Sequence, residues 1–265
     1  MSKGDAAPAV DSTQGVTDAV GHYSVYAAGG LFNQHELATN VLIKEAVWRL
    51  SNGKFSLFLP QSKDLKELDA LGELDAAYLR NADLLGVVKA DVVMARFDGL
   101  ELDSGTVVEF TMAKSLGKPT VIFRCDFRHL SGTGIEEPYN LMVRSWPRTV
   151  EVHIESFRDY VDLLAEERKG LGEGLIAEGL IAEVVTSEAT LKAELNTVQK
   201  GVDEIAKKLI DGLEAVIKME SPYPPEYQEI VYKASRYSPG SGFDQMLTED
   251  ELAEIIQRLR KNSTL

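Results

Sequence analysis

The chain has 265 residues, 44% of them hydrophobic, with 42 acidic against 28 basic side chains and a net charge of −14. That balance opposes binding to nucleic acid or to an anionic membrane, both of which need a basic face, but it leaves uncharged nucleosides open. The single cysteine, Cys125, excludes an intramolecular disulfide and a cysteine-based zinc cluster, and the four histidines (His22, His35, His129, His153) do not stand at metal-ligand spacing.

Residues 1–22 are small and polar without the apolar core of a signal peptide, so a disordered N-terminal extension is expected. No apolar run reaches membrane-spanning length, and a cytoplasmic protein is the economical expectation. Tyr23 to Ala28 reads as a strand broken by Gly29-Gly30. A helix follows from about His35 to Leu50. Its polar stripe (Asn40, Lys44, Glu45, Arg49) is narrow, which predicts burial over most of its girth. Phe55 to Leu59 is a second strand, stopped by Pro60-Gln61. The charged segment from Lys63 to Glu73 leads into a helix with Leu84, Leu85 and Val88 on its apolar side. Val92 to Ala95 is β-branched and uninterrupted, as a buried parallel strand requires.

After that strand come Asp98, Glu101 and Asp103, then a helix beginning near Gly105 and closed by Gly117-Lys118-Pro119. Thr120 to Arg124 and Val150 to His153 complete five strands, and Ser156 to Glu167 reads as a helix. Alternating strands and helices with short joins predict an α/β fold, a flavodoxin-like doubly wound five-stranded parallel sheet over residues 23–169. Residues 170–265 read as an all-helical C-terminal extension. It starts with a duplicated Gly-Leu-Ile-Ala-Glu at Gly174 and Gly179. It continues with a heptad-like seam: Leu191, Leu195, Val198, Val202, Ile205, Leu209, Leu213, Val216. That seam needs a partner, either another copy or the chain's own helices. The last helix opens on a capping box, Thr248 to Glu251.

In such a sheet the carboxyl ends of the strands share one crevice, where ligands bind. Tyr26, Gln61, Asp98, Asp103, Asp126 and Arg128 lie at those ends, with Glu109 on the first turns of the following helix. Asp126 and Arg128 read as a surface ion pair. Thr106-x-x-Glu109 also fits a capping box, with Asp103 or Ser104 as alternative caps, so local sequence leaves Glu109 open between a structural and a reactive role.

Several pieces in order then carry a resemblance. They are Val25-Tyr26-Ala27-Ala28-Gly29-Gly30-Leu31-Phe32-Asn33, Phe58-Leu59-Pro60-Gln61, Asn81-Ala82-Asp83-Leu84, Asp103-Ser-Gly-Thr-Val-Val-Glu109 and Pro138-Tyr139-Asn140-Leu141-Met142. Over about residues 24–160 the chain resembles the nucleoside 2-deoxyribosyltransferase family. The resemblance implies that Glu109 is the nucleophile, oriented by Tyr26, and that Asp103 holds the deoxyribose hydroxyls. Asp83 and Gln61 would sit against the base, Asp83 helping to protonate it, with Phe32 as its wall. Asn140 and Met142 would complete a neighbouring subunit's site in a homo-oligomer. Deoxynucleosides and free nucleobases would be the partners, with no metal or organic cofactor. Such chemistry is coherent: a carboxylate stabilises the developing oxocarbenium ion and captures it, and a second base attacks with net retention. A hydrolase of deoxynucleoside 5′-monophosphates and a non-catalytic nucleoside sensor are the alternatives.

Overall fold

The computed structural model describes residues 21–62, 76–99, 101–126, 140–169 and 188–265. The N-terminal extension (but for its last two residues), the charged segment after Lys63, Arg128 and the Gly174/Gly179 duplication lie outside them.

Five strands, β1 (Tyr23–Ala28), β2 (Phe55–Phe58), β3 (Val92–Arg96), β4 (Thr120–Arg124) and β5 (Thr149–His153), form one parallel sheet in the order β2-β1-β3-β4-β5. That is the flavodoxin-like order, with its switch point between β1 and β3. The described helices are α1 (Gln34–Leu50), α2 (Ala76–Lys89), α3 (Ser104–Ser115), α4 (Ser156–Lys169), α5 (Glu188–Val216), α6 (Pro225–Ser235), α7 (Phe243–Met246) and α8 (Glu249–Lys261). The five expected strands and the helices between them stand within a residue or two of their sequence positions. The four-residue α7 carries too short a pattern to be read in advance.

Strand periodicity divides the core. Val25, Val92 and Met94 face α1 and α5, while Tyr26, Ala28, Val93 and Ala95 face α2 and α3. On the first face, α5 lies over β4 and β5 between α1 and α4. Val202, Ala206, Leu209, Leu213 and Val216 are buried there among Val25, Val121 and Phe123. The C-terminal half of the seam therefore finds its partner in its own sheet. The N-terminal half does not: Leu191, Leu195 and Val198 are exposed, Leu195 by 70%. On the opposite face, α6, α7 and α8 form an outer layer over α2, where Leu84 and Val88 meet Tyr232, Phe243, Leu252, Ile256 and Leu259. The capping box expected at Thr248 and Glu251 is present.

One expectation fails. In this chain α1 buries only Ile43, Ala46 and Val47 fully, and Val41 and Trp48 remain about half exposed, at 52% and 51%. This helix lies at the β2 edge of the sheet with α5 along one flank, and among the described residues its outer surface stays exposed.

Candidate functional site

Tyr26 points from β1 toward the α2/α3 face and is completely buried. Its hydroxyl donates to Glu109 Oε1 on α3 at 2.5 Å and stands 3.5 Å from Asp83 Oδ1 on α2. A phenol has one hydrogen, so the nearer carboxylate receives it. Burial, followed by the neighbouring Glu109 and Asp83, pushes the Tyr26 hydroxyl well above the usual tyrosine range, which keeps it a donor. Glu109 and Asp83 are both half-buried.

Asp103 is the N-cap of α3. Its Oδ2 accepts from the Thr106 backbone N–H at 2.7 Å and from Thr106 Oγ1 at 2.7 Å. This settles the capping question: Thr106 serves the Asp103 cap, and Glu109 is no member of a capping box. Glu109 lies six residues beyond the N-cap, past the first turn, where the dipole effect has decayed. The Tyr26 hydroxyl is the specific donor that replaces it.

Of the remaining sequence-selected residues, the Gln61 and Asn140 side chains are tied into local hydrogen bonds, while Phe32 and Met142 stand exposed. Gln61, in a short 3-10 turn after β2, receives a hydrogen bond from Asn40 at 2.8 Å and donates to the Leu37 carbonyl at 3.0 Å. Phe32 is 77% exposed on the β1–α1 loop, with its N–H donated to Glu36. Asn140 caps the turn Leu141–Val143 by accepting from the Met142 N–H. Val143 anchors this turn in the Tyr26 core cluster, and Met142 projects into solvent, 77% exposed.

Other residues shape the crevice without having been singled out. Arg96, at the carboxyl end of β3, donates to the Gly30 carbonyl at 3.2 Å, as does Asn40. Together they fix the loop that carries Phe32. The signal for Arg96 was present, an arginine ending an otherwise apolar strand. Asp98 accepts from the Cys125 N–H at 2.6 Å and lies 3.6 Å from Arg96 Nε; burial still pushes its carboxyl up. Asp126 pairs with Arg124 at 2.7 Å. Burial pushes the Cys125 thiol up, as suits an unreactive side chain. Among the described residues no group of histidine, cysteine and carboxylate side chains could hold a metal ion, and no helix is long and apolar enough to cross a membrane.

A donor-held carboxylate facing a second carboxylate, at the carboxyl ends of parallel strands, suits attack on a glycosidic carbon with protonation of the departing group. Three solved structures are similar to part of the chain. A conserved protein from Enterococcus faecalis V583 shares 25% identity over 46% of this chain and 84% of its own, with a TM-score of 0.38. A 2-desoxiribosyltransferase from Leishmania mexicana shares 21% identity over 48% and 89%, with a TM-score of 0.37. A 2-deoxyribosyltransferase from the psychrotolerant Bacillus psychrosaccharolyticus shares 22% identity over 51% and 88%, with a TM-score of 0.36. No curated protein matches the chain. The model of the nucleoside 2-deoxyribosyltransferase family matches residues 25–164, more than half of the sequence and all of the sheet but its first two residues, and the chain therefore belongs to that family.

Proposed function

We propose that this protein transfers the 2-deoxyribosyl group between nucleobases of 2′-deoxynucleosides through a covalent glycosyl intermediate on Glu109. The observation that carries the reading is the short hydrogen bond from the buried Tyr26 hydroxyl to Glu109, with Asp83 on its other side. Glu109 attacks C1′ as the N-glycosidic bond breaks. The bond's electron pair leaves with the base, which takes a proton from Asp83. An incoming base then attacks C1′ from the face the first one left, returns its proton to Asp83 and frees Glu109, with net retention. Asp103, held by Thr106 through one oxygen, presents the other to the sugar hydroxyls. Gln61 and Phe32 border the base. Asn140 and Met142, directed outward, complete the site of a neighbouring copy.

Phosphate-directed hydrolysis has less support. Among the described residues, Arg96 is a cation at the first loop, and its guanidinium holds Gly30 and faces Asp98. The test is purified protein with deoxyinosine and labelled adenine, then with thymidine, scored for exchange against release of free sugar. Exchange abolished by Glu109→Ala is the expected result; undiminished exchange in that variant would refute the assignment. Mixing Glu109→Ala with Asn140→Ala protein should restore part of the activity if sites are shared between copies.

A further inference from the structure

We propose that Gly86 and Phe58 clamp the Tyr26 ring from two sides and act as positioning residues that set its hydroxyl between Glu109 and Asp83. The inference rests on the reading of Glu109 as nucleophile. Helix α2 passes so close to β1 that a Cβ built on Gly86 would stand 2.6 Å from Tyr26 Cε2 and 2.9 Å from Cδ2. The ring is fully buried, so a side chain at position 86 forces the ring and α2 apart and moves the hydroxyl relative to Asp83. Across the β1–β2 pair, Phe58 stands directly opposite Tyr26 and stacks on it, with ring centroids 5.9 Å apart and planes 27° from parallel.

Asp83 and Gly86 are three residues apart on α2 and share one face of the helix. The close approach that seats Gly86 on the ring therefore also brings Asp83 to the hydroxyl. A glycine inside a helix is less favourable than alanine, so α2 is weaker at the point where it must come nearest. Phe58, 43% exposed at the end of the edge strand β2, holds the ring from the β2 side. Neither residue bonds to a reacting atom; both act through where they hold the phenol.

The experiment is a pair of double-mutant cycles. Base exchange between deoxyinosine and adenine is measured for the wild-type chain, Gly86→Ala, Phe58→Leu, Tyr26→Phe, and each of the first two combined with Tyr26→Phe. Thermal unfolding is recorded for all six. In the presence of the hydroxyl, Gly86→Ala and Phe58→Leu should each lower kcat by about tenfold or more with KM little moved. In the Tyr26→Phe background the same changes should cost less than about twofold, because no hydroxyl remains to misplace. Equal losses in both backgrounds, no loss, or a change confined to KM would overturn the clamp. If Gly86→Ala does not fold, Phe58→Leu carries the same comparison. A wild-type chain that exchanges no base refutes the reaction itself and takes the clamp's role down with it, whereas an active wild type without coupling refutes the clamp alone.

Discussion

A buried phenol with one hydrogen and two carboxylates for neighbours decides which of them is stabilised as the anion. In this chain Tyr26 gives that hydrogen to Glu109. A hydrogen bond to a charged group contributes about 1.5–3 kcal/mol, so Tyr26→Phe should lower kcat by roughly 10- to 100-fold. The ring and its packing survive the change, and KM should stay within about twofold. Steady-state exchange kinetics check this, and an unchanged kcat would remove Tyr26 from the mechanism. Tyr26, Asp103 and Glu109 could be placed near one another from the sequence because strand ends and helix starts fix where polar side chains gather, whereas Asp83, in the middle of α2, entered only through the family resemblance. Gly86 was not, because a helical glycine announces a close approach without naming its neighbour. Gln61 shows the other limit. Its place at the end of β2 was readable, but its hydrogen bonds to Asn40 and Leu37 depend on how α1 is rotated.

Among the elements, α5 illustrates how a heptad-like seam can be divided between two environments. Its periodic apolar residues were plain in the sequence; that the sheet takes only those from Val202 onward is a matter of tertiary geometry. The two glycines of the helix tell the same story. A Cβ at Gly201 would meet nothing within 4 Å, whereas one at Gly212 would stand 3.0 Å from Val152 Cγ2 and 3.4 Å from Val121 Cγ1. Gly201→Ala should therefore stabilise the protein by about 0.5–1 kcal/mol through helix propensity. Gly212→Leu should destabilise it by about 1–3 kcal/mol, since the added atoms are driven into β4 and β5. Urea unfolding of the two variants should shift the midpoint in opposite directions; shifts of the same sign would mean that α5 does not rest on the sheet at Gly212. The misjudged girth of α1 has a related cause. Hydrophobic periodicity reports which residues avoid water, not whether one chain supplies enough surface to cover them.

The molecule as a whole is tied together at the amino-terminal edge of the sheet, opposite the crevice. Buried Asp91 accepts from the Ser24 N–H at 2.8 Å, Ser24 Oγ at 2.6 Å, Arg258 at 2.9 Å and Asn262 at 3.0 Å, so β1, β3 and the end of α8 meet on one carboxylate. Arg148 donates to the main-chain oxygens of Gly117, Met219, Ser263, Thr264 and Leu265. The helical layer thus reaches α2 from outside, and Asn81, two residues before Asp83, donates to the Ser241 carbonyl at 3.0 Å. Breaking a buried pair by removing one partner costs about 3–5 kcal/mol, so Asp91→Ala should be among the most destabilising single changes, as read by urea unfolding.

Two lysines in the same region make this end of the molecule sensitive to pH. Lys118 Nζ donates to the Ala90 carbonyl at 2.6 Å and lies 5.0 Å from the Tyr232 ring, with Asp91, Arg258 and Arg148 as its charged neighbours. Lys114 Nζ donates to the main-chain oxygens of Lys118 and Arg148 and to Thr120 Oγ1. Burial pushes both side chains down to about 7. The unfolded chain keeps these protons up to about pH 10.4, its ordinary lysine value. Between the two values the unfolded state binds more protons than the folded one, so stability rises with pH, by at most about 1.4 kcal/mol per pH unit for each lysine. Tyr26 and Tyr232, both raised by burial, oppose this only above the ordinary tyrosine value near 10. The urea midpoint should therefore be higher at pH 8.5 than at pH 6.5, and Lys118→Met should flatten the rise. A midpoint that falls over this interval, or a slope unchanged by Lys118→Met, would mean that the lysine stays charged through its contacts with Asp91 and the Ala90 carbonyl.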